Sequence, residues 1–127
     1  MWGSPPFSIP DNTTVDVRNL SEARKWYTDK LALREANTHR EDDSGRPFVD
    51  LCISKSGSWI SLVELPPGVS PGSPHVVFYA KNLEKARDWL AMRGVLVDAI
   101  TADSGGNRFF RFTDLDGNRI EVCVEPR

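Results

Sequence analysis

Few side chains in this protein combine types suited to chemistry. Its two histidines are His39 and His75, and its two cysteines are Cys52 and Cys123. One acidic turn, Asp114-Leu115-Asp116-Gly117-Asn118, leads into a strand-like run that carries Glu121. Imidazole nitrogen and carboxylate oxygen are borderline to hard donors, so His75 and Glu121 have the types that hold a divalent ion or form an acid–base pair. Glu121 lies between Ile120 and Val122 and reads as a half-buried strand residue, whose carboxylate needs a partner if it faces a cleft. The acidic turn has the composition of a calcium loop but lacks the downstream bidentate glutamate, and it reads as a hairpin turn. His39 sits in the charged run His39-Arg40-Glu41-Asp42-Asp43 and reads as a solvated loop residue. The cysteines are too few and too far apart for a disulfide framework and read as small core hydrophobes in a reducing compartment.

The elements that must position these residues come in two copies. Asn19-Leu20-Ser21-Glu22-Ala23-Arg24-Lys25-Trp26-Tyr27 and Asn82-Leu83-Glu84-Lys85-Ala86-Arg87-Asp88-Trp89-Leu90 share Asn, Leu, Ala, Arg and Trp at matching positions, 63 residues apart. Such self-similarity over half the chain implies two units related by a pseudo-twofold axis. Leu20, Ala23, Tyr27 and Leu31 recur at the spacing of one helical face, with Asn19 as N-cap and Glu22 three residues on. Leu83, Ala86 and Leu90 repeat the pattern, which stops at Gly94. Before each helix the chain alternates with period two. Thr13, Val15 and Val17 oppose Asn12, Thr14 and Asp16; Val76, Phe78 and Ala80, packed under the helix, oppose His75, Val77 and Tyr79. Three further strand-like runs follow each helix, near residues 33–36, 48–53 and 59–65, then 96–100, 108–113 and 119–125. Each half therefore reads β-α-β-β-β. Trp26 and Trp89 lie beside the apolar stripes and read as core or interface residues.

The Pro-rich stretch of residues 66–73 falls at the midpoint and links halves of about 7–65 and 74–126. With 127 residues the chain forms one domain with a real core. A formal charge of −2, from 16 basic and 18 acidic residues, and the lack of a Lys/Arg cluster exclude nucleic acid as a partner. No apolar run is long enough for a signal peptide or membrane span, so the expectation is a cytoplasmic protein without a membrane partner.

These features together resemble the vicinal oxygen chelate superfamily, which includes glyoxalase I, extradiol dioxygenases, fosfomycin resistance enzymes and bleomycin resistance proteins. The most specific likeness is Phe110-Arg111-Phe112-Thr113-Asp114-Leu115-Asp116-Gly117-Asn118-Arg119-Ile120-Glu121-Val122, which looks like that family's penultimate strand, Asp-Pro-Asp-Gly-Asn turn and last strand. Leu115 replaces the usual proline. The resemblance covers about residues 7–126 and implies an α+β fold, two tandem βαβββ modules forming a curved mixed sheet around a cleft. It also implies metal ligands on the first and last strand of each half, which map onto His75 and Glu121 in the second half. In the first half the matching positions are Asn12 and Ser61, with Glu64 as an alternative to Ser61 under a shifted register; period two allows only one of these to face the cleft.

Two readings follow from the resemblance. In the first, the chain is a metal-dependent lyase or isomerase, in which zinc, nickel, manganese or iron held by His75 and Glu121, with Glu64 or Asn12, polarises adjacent substrate oxygens while Glu121 or Glu64 moves a proton. In the second, it is a non-catalytic drug or metabolite binder of the bleomycin resistance type, without metal. Extradiol dioxygenase chemistry is weaker, because it wants two histidines and a carboxylate, and Asn12 breaks that triad. Thr14, Asp16, Val77, Tyr79 and Cys123 are the substrate-cleft candidates, and a homodimer is the expected assembly.

Overall fold

The computed structural model describes residues 4–36, 40–41, 45–54, 57–72 and 75–126, with the side chains of residues 40 and 41 excepted. The first half runs β1 (Thr13–Val17), α1 (Leu20–Leu31), β2 (Arg34–Glu35), β3 (Arg40–Glu41), β4 (Pro47–Cys52) and β5 (Trp59–Glu64). The second repeats it as β6 (Val76–Ala80), α2 (Leu83–Met92), β7 (Leu96–Val97), β8 (Thr101–Ala102), β9 (Arg108–Thr113) and β10 (Arg119–Val124). His39 lies outside the described residues.

Capping fixes where both helices begin. The side chains of Asn19 and Asn82 accept hydrogen bonds from the backbone N–H groups of Glu22 and Lys85, satisfying an N–H that the first helical turn leaves without a partner. Helix α1 buries Leu20, Ala23, Tyr27 and Leu31, and α2 buries Leu83, Ala86 and Leu90, so each presents one apolar stripe to the sheet of its own half. Gly94 ends the second helix in the left-handed region, φ 80°.

The mixed sheet is realised as two sheets, one per half: β1-β5-β4-β2 with β3 also on β4, and β6-β10-β9-β7 with β8 also on β9. In each, the first and last strands pair in parallel and the remaining pairs are antiparallel. The strand expected at residues 96–100 is interrupted. Its register on β9 begins with Leu96 opposite Thr113 and resumes with Thr101 opposite Phe109, one residue out of step. That extra residue is a bulge, which bends an edge strand and ends its regular pairing.

A single core joins the halves. Phe78 stacks on Phe7 at 5.3 Å and tilts against Phe112 at 5.9 Å, while Trp89 meets Phe7 edge-on at 5.6 Å. Trp26 and Trp89 are partly buried against this core. The turn between β9 and β10 ties the second half to the first: Asn118 donates to the carbonyl of Asp16 at 3.0 Å, and the Arg18 guanidinium pairs with Asp116 at 3.3 Å. Both cysteines are free thiols, and no helix among the described residues is long and apolar enough to cross a membrane.

Candidate functional site

Strand pleating builds the candidate site. Along β6, Val76, Phe78 and Ala80 are buried beneath the helix, so Val77 and Tyr79 turn to the opposite, open face, half-buried. Along β10, Ile120 and Val122 are buried and Glu121 and Cys123 are half-buried. On β9, Phe110 and Phe112 are buried while Phe109 and Arg111 alternate with them. The registers align these residues in two rows across three strands, Val77–Glu121–Arg111 and Tyr79–Cys123–Phe109.

The first half carries the same rows with different chemistry. Thr14, Ser61 and Asp50 occupy the positions of Val77, Glu121 and Arg111; Asp16, Val63 and Phe48 occupy those of Tyr79, Cys123 and Phe109. Ser61 donates its hydroxyl hydrogen to the buried carboxylate of Asp50. In the second half the guanidinium of Arg111 lies 3.6 Å from the Glu121 carboxylate and 5.1 Å from the centre of the Phe109 ring. A buried acid in one half thus answers to a half-exposed cation in the other.

His75 is exposed just before β6. Together with Glu121, Arg111, Arg119 and the turn residues Gly117 and Asn118 it lines a cavity of about 490 Å³. Glu121 has Arg111 as its charged partner there, and among the described residues it makes no ion pair with His75. Arg119 is held by Asp98 at the rim. The Cys123 thiol touches the carbonyl of Phe78 at 3.8 Å, and burial, then the negative charge of Glu121, push its pKa upward, away from the nucleophilic thiolate.

The remaining candidates are engaged elsewhere. Glu64, on the helix side of β5, accepts a hydrogen bond from the backbone N–H of Leu20 at 2.9 Å and so serves the start of α1. Ser61, not Glu64, faces outward with Thr14. The Asn12 side-chain oxygen accepts from the backbone N–H of Trp59 at 3.0 Å. Asp16 pairs with Arg46 at 3.6 Å. Among the described residues no group of three or more His, Cys, Asp or Glu side chains converges to hold a metal ion, and the donor set does not fit a divalent site. Sequence reasoning missed Arg111, Phe109 and Asp50, although the hairpin at residues 114–118 sets Arg111 opposite Glu121.

Paired βαβββ halves with polar rows on their open faces define a glyoxalase-type fold, and the comparisons agree. The family model of the Glyoxalase/Bleomycin resistance protein/Dioxygenase superfamily matches residues 10–122, and the chain belongs to that superfamily. Among solved structures, a superfamily member from Sphaerobacter thermophilus DSM 20745 is 21% identical, with 91% of this chain and 96% of that one covered and a TM-score of 0.75. TnmS3, an antibiotic binding protein from Streptomyces sp. CB03234, is 19% identical over 91% of this chain and 95% of its own, with a TM-score of 0.70. A glyoxalase family protein from Enterococcus faecalis is 18% identical over 91% and 96%, with a TM-score of 0.69. No curated protein sequence matches the chain.

Proposed function

We propose that this chain binds a small organic molecule on the open faces of its sheets, in the manner of the non-catalytic bleomycin resistance branch, without requiring a metal. The observation that carries this reading is the use already made of the first-half donors. Asn12 holds the Trp59 N–H, Ser61 holds Asp50, and Glu64 holds the Leu20 N–H. That leaves His75 and Glu121, with Arg111 adding positive charge beside the carboxylate, whereas catalytic zinc sites ordinarily take three protein ligands. A second copy that set its first half against this second half would bring the same amide and the same hydroxyl, so that pairing does not complete the set. The likeness in fold to the antibiotic binding protein TnmS3 supports the reading.

The binding residues proposed are His75, Val77, Tyr79, Arg111, Glu121 and Cys123 from the second half, with Thr14 and Asp16 from the first. Two free thiols suit a reducing, cytoplasmic setting. Trp59, 38% exposed on the open face of the first half, suits burial against a second copy, so a homodimer is the assembly proposed. Light scattering at micromolar concentration should give twice the chain mass; a monomer overturns this.

Calorimetric titration of the chelator-treated protein with zinc, nickel or manganese tests the reading, together with a thermal-shift screen of aromatic antibiotics and metabolites. Expected are no stoichiometric micromolar metal binding and a ligand-induced shift that Arg111→Ala removes. The competing metal-dependent lyase or isomerase reading is favoured by one observation, that His75 and Glu121 line the same cavity. One tight equivalent of metal, lost in both His75→Ala and Glu121→Ala, would establish it and overturn ours.

A further inference from the structure

At the other end of β6 lies a second concavity, of about 420 Å³, which shares no lining residue with the cavity of His75 and Glu121. Tyr79, Lys81, Asn82 and Lys85 form one side of it; the N-terminal segment from Pro5 to Ser8 and Glu125 form the rest. That segment is fixed in place, because Ser8 and Tyr79 exchange two backbone hydrogen bonds of 2.7 and 3.0 Å and Phe7 is buried on Phe78.

The internal repeat shows what has changed at this place. Arg18 and Glu22 of the first half correspond to Lys81 and Lys85, again 63 residues apart. Leu65, whose N–H meets the Val17 carbonyl at 2.8 Å, corresponds to Glu125, whose N–H meets the Ala80 carbonyl at 2.9 Å. In the first half both charges have a use: Arg18 pairs across the halves with Asp116, and Glu22 is the acid of the first turn of α1, a part that the neighbouring Glu84 takes in α2. In the second half the ammonium groups of Lys81 and Lys85 make no ion pair or hydrogen bond among the described residues. Lys85 moreover stands in the first turn of α2, where a cation opposes the helix dipole and the repeat's own precedent is glutamate. A residue that breaks a local rule without a compensating contact points to a role outside the fold. The helix end itself is not what is on offer, since the Lys85 N–H is already taken by Asn82 at 2.9 Å.

We propose that this concavity is a binding site for a small organic anion, a carboxylate or a phosphate monoester, whose charge is taken by Lys81 and Lys85. Its flat apolar body lies against Pro5, Pro6 and Tyr79, and a hydrogen-bond donor on it faces Glu125. The volume is that of a metabolite-sized pocket. This site shares Tyr79 with the one proposed above but neither lysine, so the effects of Lys81→Ala and Lys85→Glu distinguish its failure from the failure of that reading.

Amide chemical-shift titration of the full chain with phenyl phosphate and with phenylacetate tests the proposal, with phenethylamine as the cationic control. Saturable shifts are expected at residues 7–8 and 79–85, with dissociation constants on the order of millimolar or tighter; the tighter of the two anions assigns phosphate or carboxylate. Lys85→Glu restores the residue type of the first half and should raise the melting temperature at low salt while weakening binding roughly tenfold or more, as a lost charge-assisted contact would. Lys81→Ala should weaken it as well. Unchanged affinity in Lys85→Glu, equal shifts with phenethylamine, or shifts confined to residues around His75, Arg111 and Glu121 would each overturn it.

Discussion

Tyr27 in the first half donates its phenolic hydrogen to the carboxylate of Asp114 in the second, at 2.6 Å, with the phenol fully buried and Asp114 6% exposed. The same carboxylate accepts from the backbone N–H groups of Asp116 and Asn118 and from the Asn118 side chain, at 2.8 to 2.9 Å. The turn that resembled a calcium loop is therefore a saturated hydrogen-bond hub. It sets the relative position of the two halves, and through β10 it sets the place of Glu121.

Tyr27→Phe removes one of four donors to a buried carboxylate and should cost about 1.5–3 kcal/mol of stability, the range for a hydrogen bond to a charged group. Urea unfolding measures it. Burial, then the Asp114 charge, hold the Tyr27 phenol well above its ordinary pKa of 10.0. The folded state therefore binds this proton more tightly than the unfolded chain. The resulting stability is complete below about pH 10 and is lost as pH rises toward the folded-state value. Above pH 10 the wild-type protein should lose its margin over Tyr27→Phe, while the margin stays constant from pH 7 to 9.

The thiol of Cys123 reports on its neighbour. Because Glu121 helps to raise the thiol's pKa, Glu121→Gln should increase the thiolate fraction and speed alkylation by iodoacetamide at pH 8, by roughly two- to fivefold. Mass spectrometry locates the label. An unchanged rate would mean that the two side chains do not share one face.

The repeated stretch made the helices legible, because it carried the Asn caps as well as the apolar stripe: both caps are made by Asn19 and Asn82. Period two separated Val76, Phe78 and Ala80 from Val77 and Tyr79 for the same reason, a buried face against an open one. The edge strands were less legible. The one expected at residues 96–100 keeps only Leu96–Val97 before its bulge, since an edge strand has a partner on one side and its sequence is under weaker constraint. What lay beyond local pattern was the commitment of polar side chains to distant backbone. Glu64 reaches Leu20 across 44 positions and Asn12 reaches Trp59 across 47, and nothing in either local sequence marks such a contact. Comparison between halves finds divergence, as at Ser61 and Glu121, but it does not show which hydrogen bond has taken the place of a ligand.

The internal repeat also sets opposite charges at the matching position of two helix N-termini in one molecule. Glu22 and Lys85 occupy the same position of α1 and α2, and in each the backbone N–H is held by the capping asparagine, at 3.0 and 2.9 Å. An acid there interacts favourably with the positive end of the helix and a cation unfavourably, each by about 0.3–1 kcal/mol at a solvent-exposed site. Reversing the sign in Lys85→Glu should therefore stabilise the protein by about 0.6–2 kcal/mol, and Glu22→Lys should destabilise it by a similar amount. Both effects should shrink in high salt, because screening acts on exposed charges. Thermal melts in low and high sodium chloride separate this electrostatic effect from packing: equal melting temperatures for Lys85→Glu and wild type at low salt would mean that Lys85 is compensated within the fold, and would remove the ground for assigning it to a ligand.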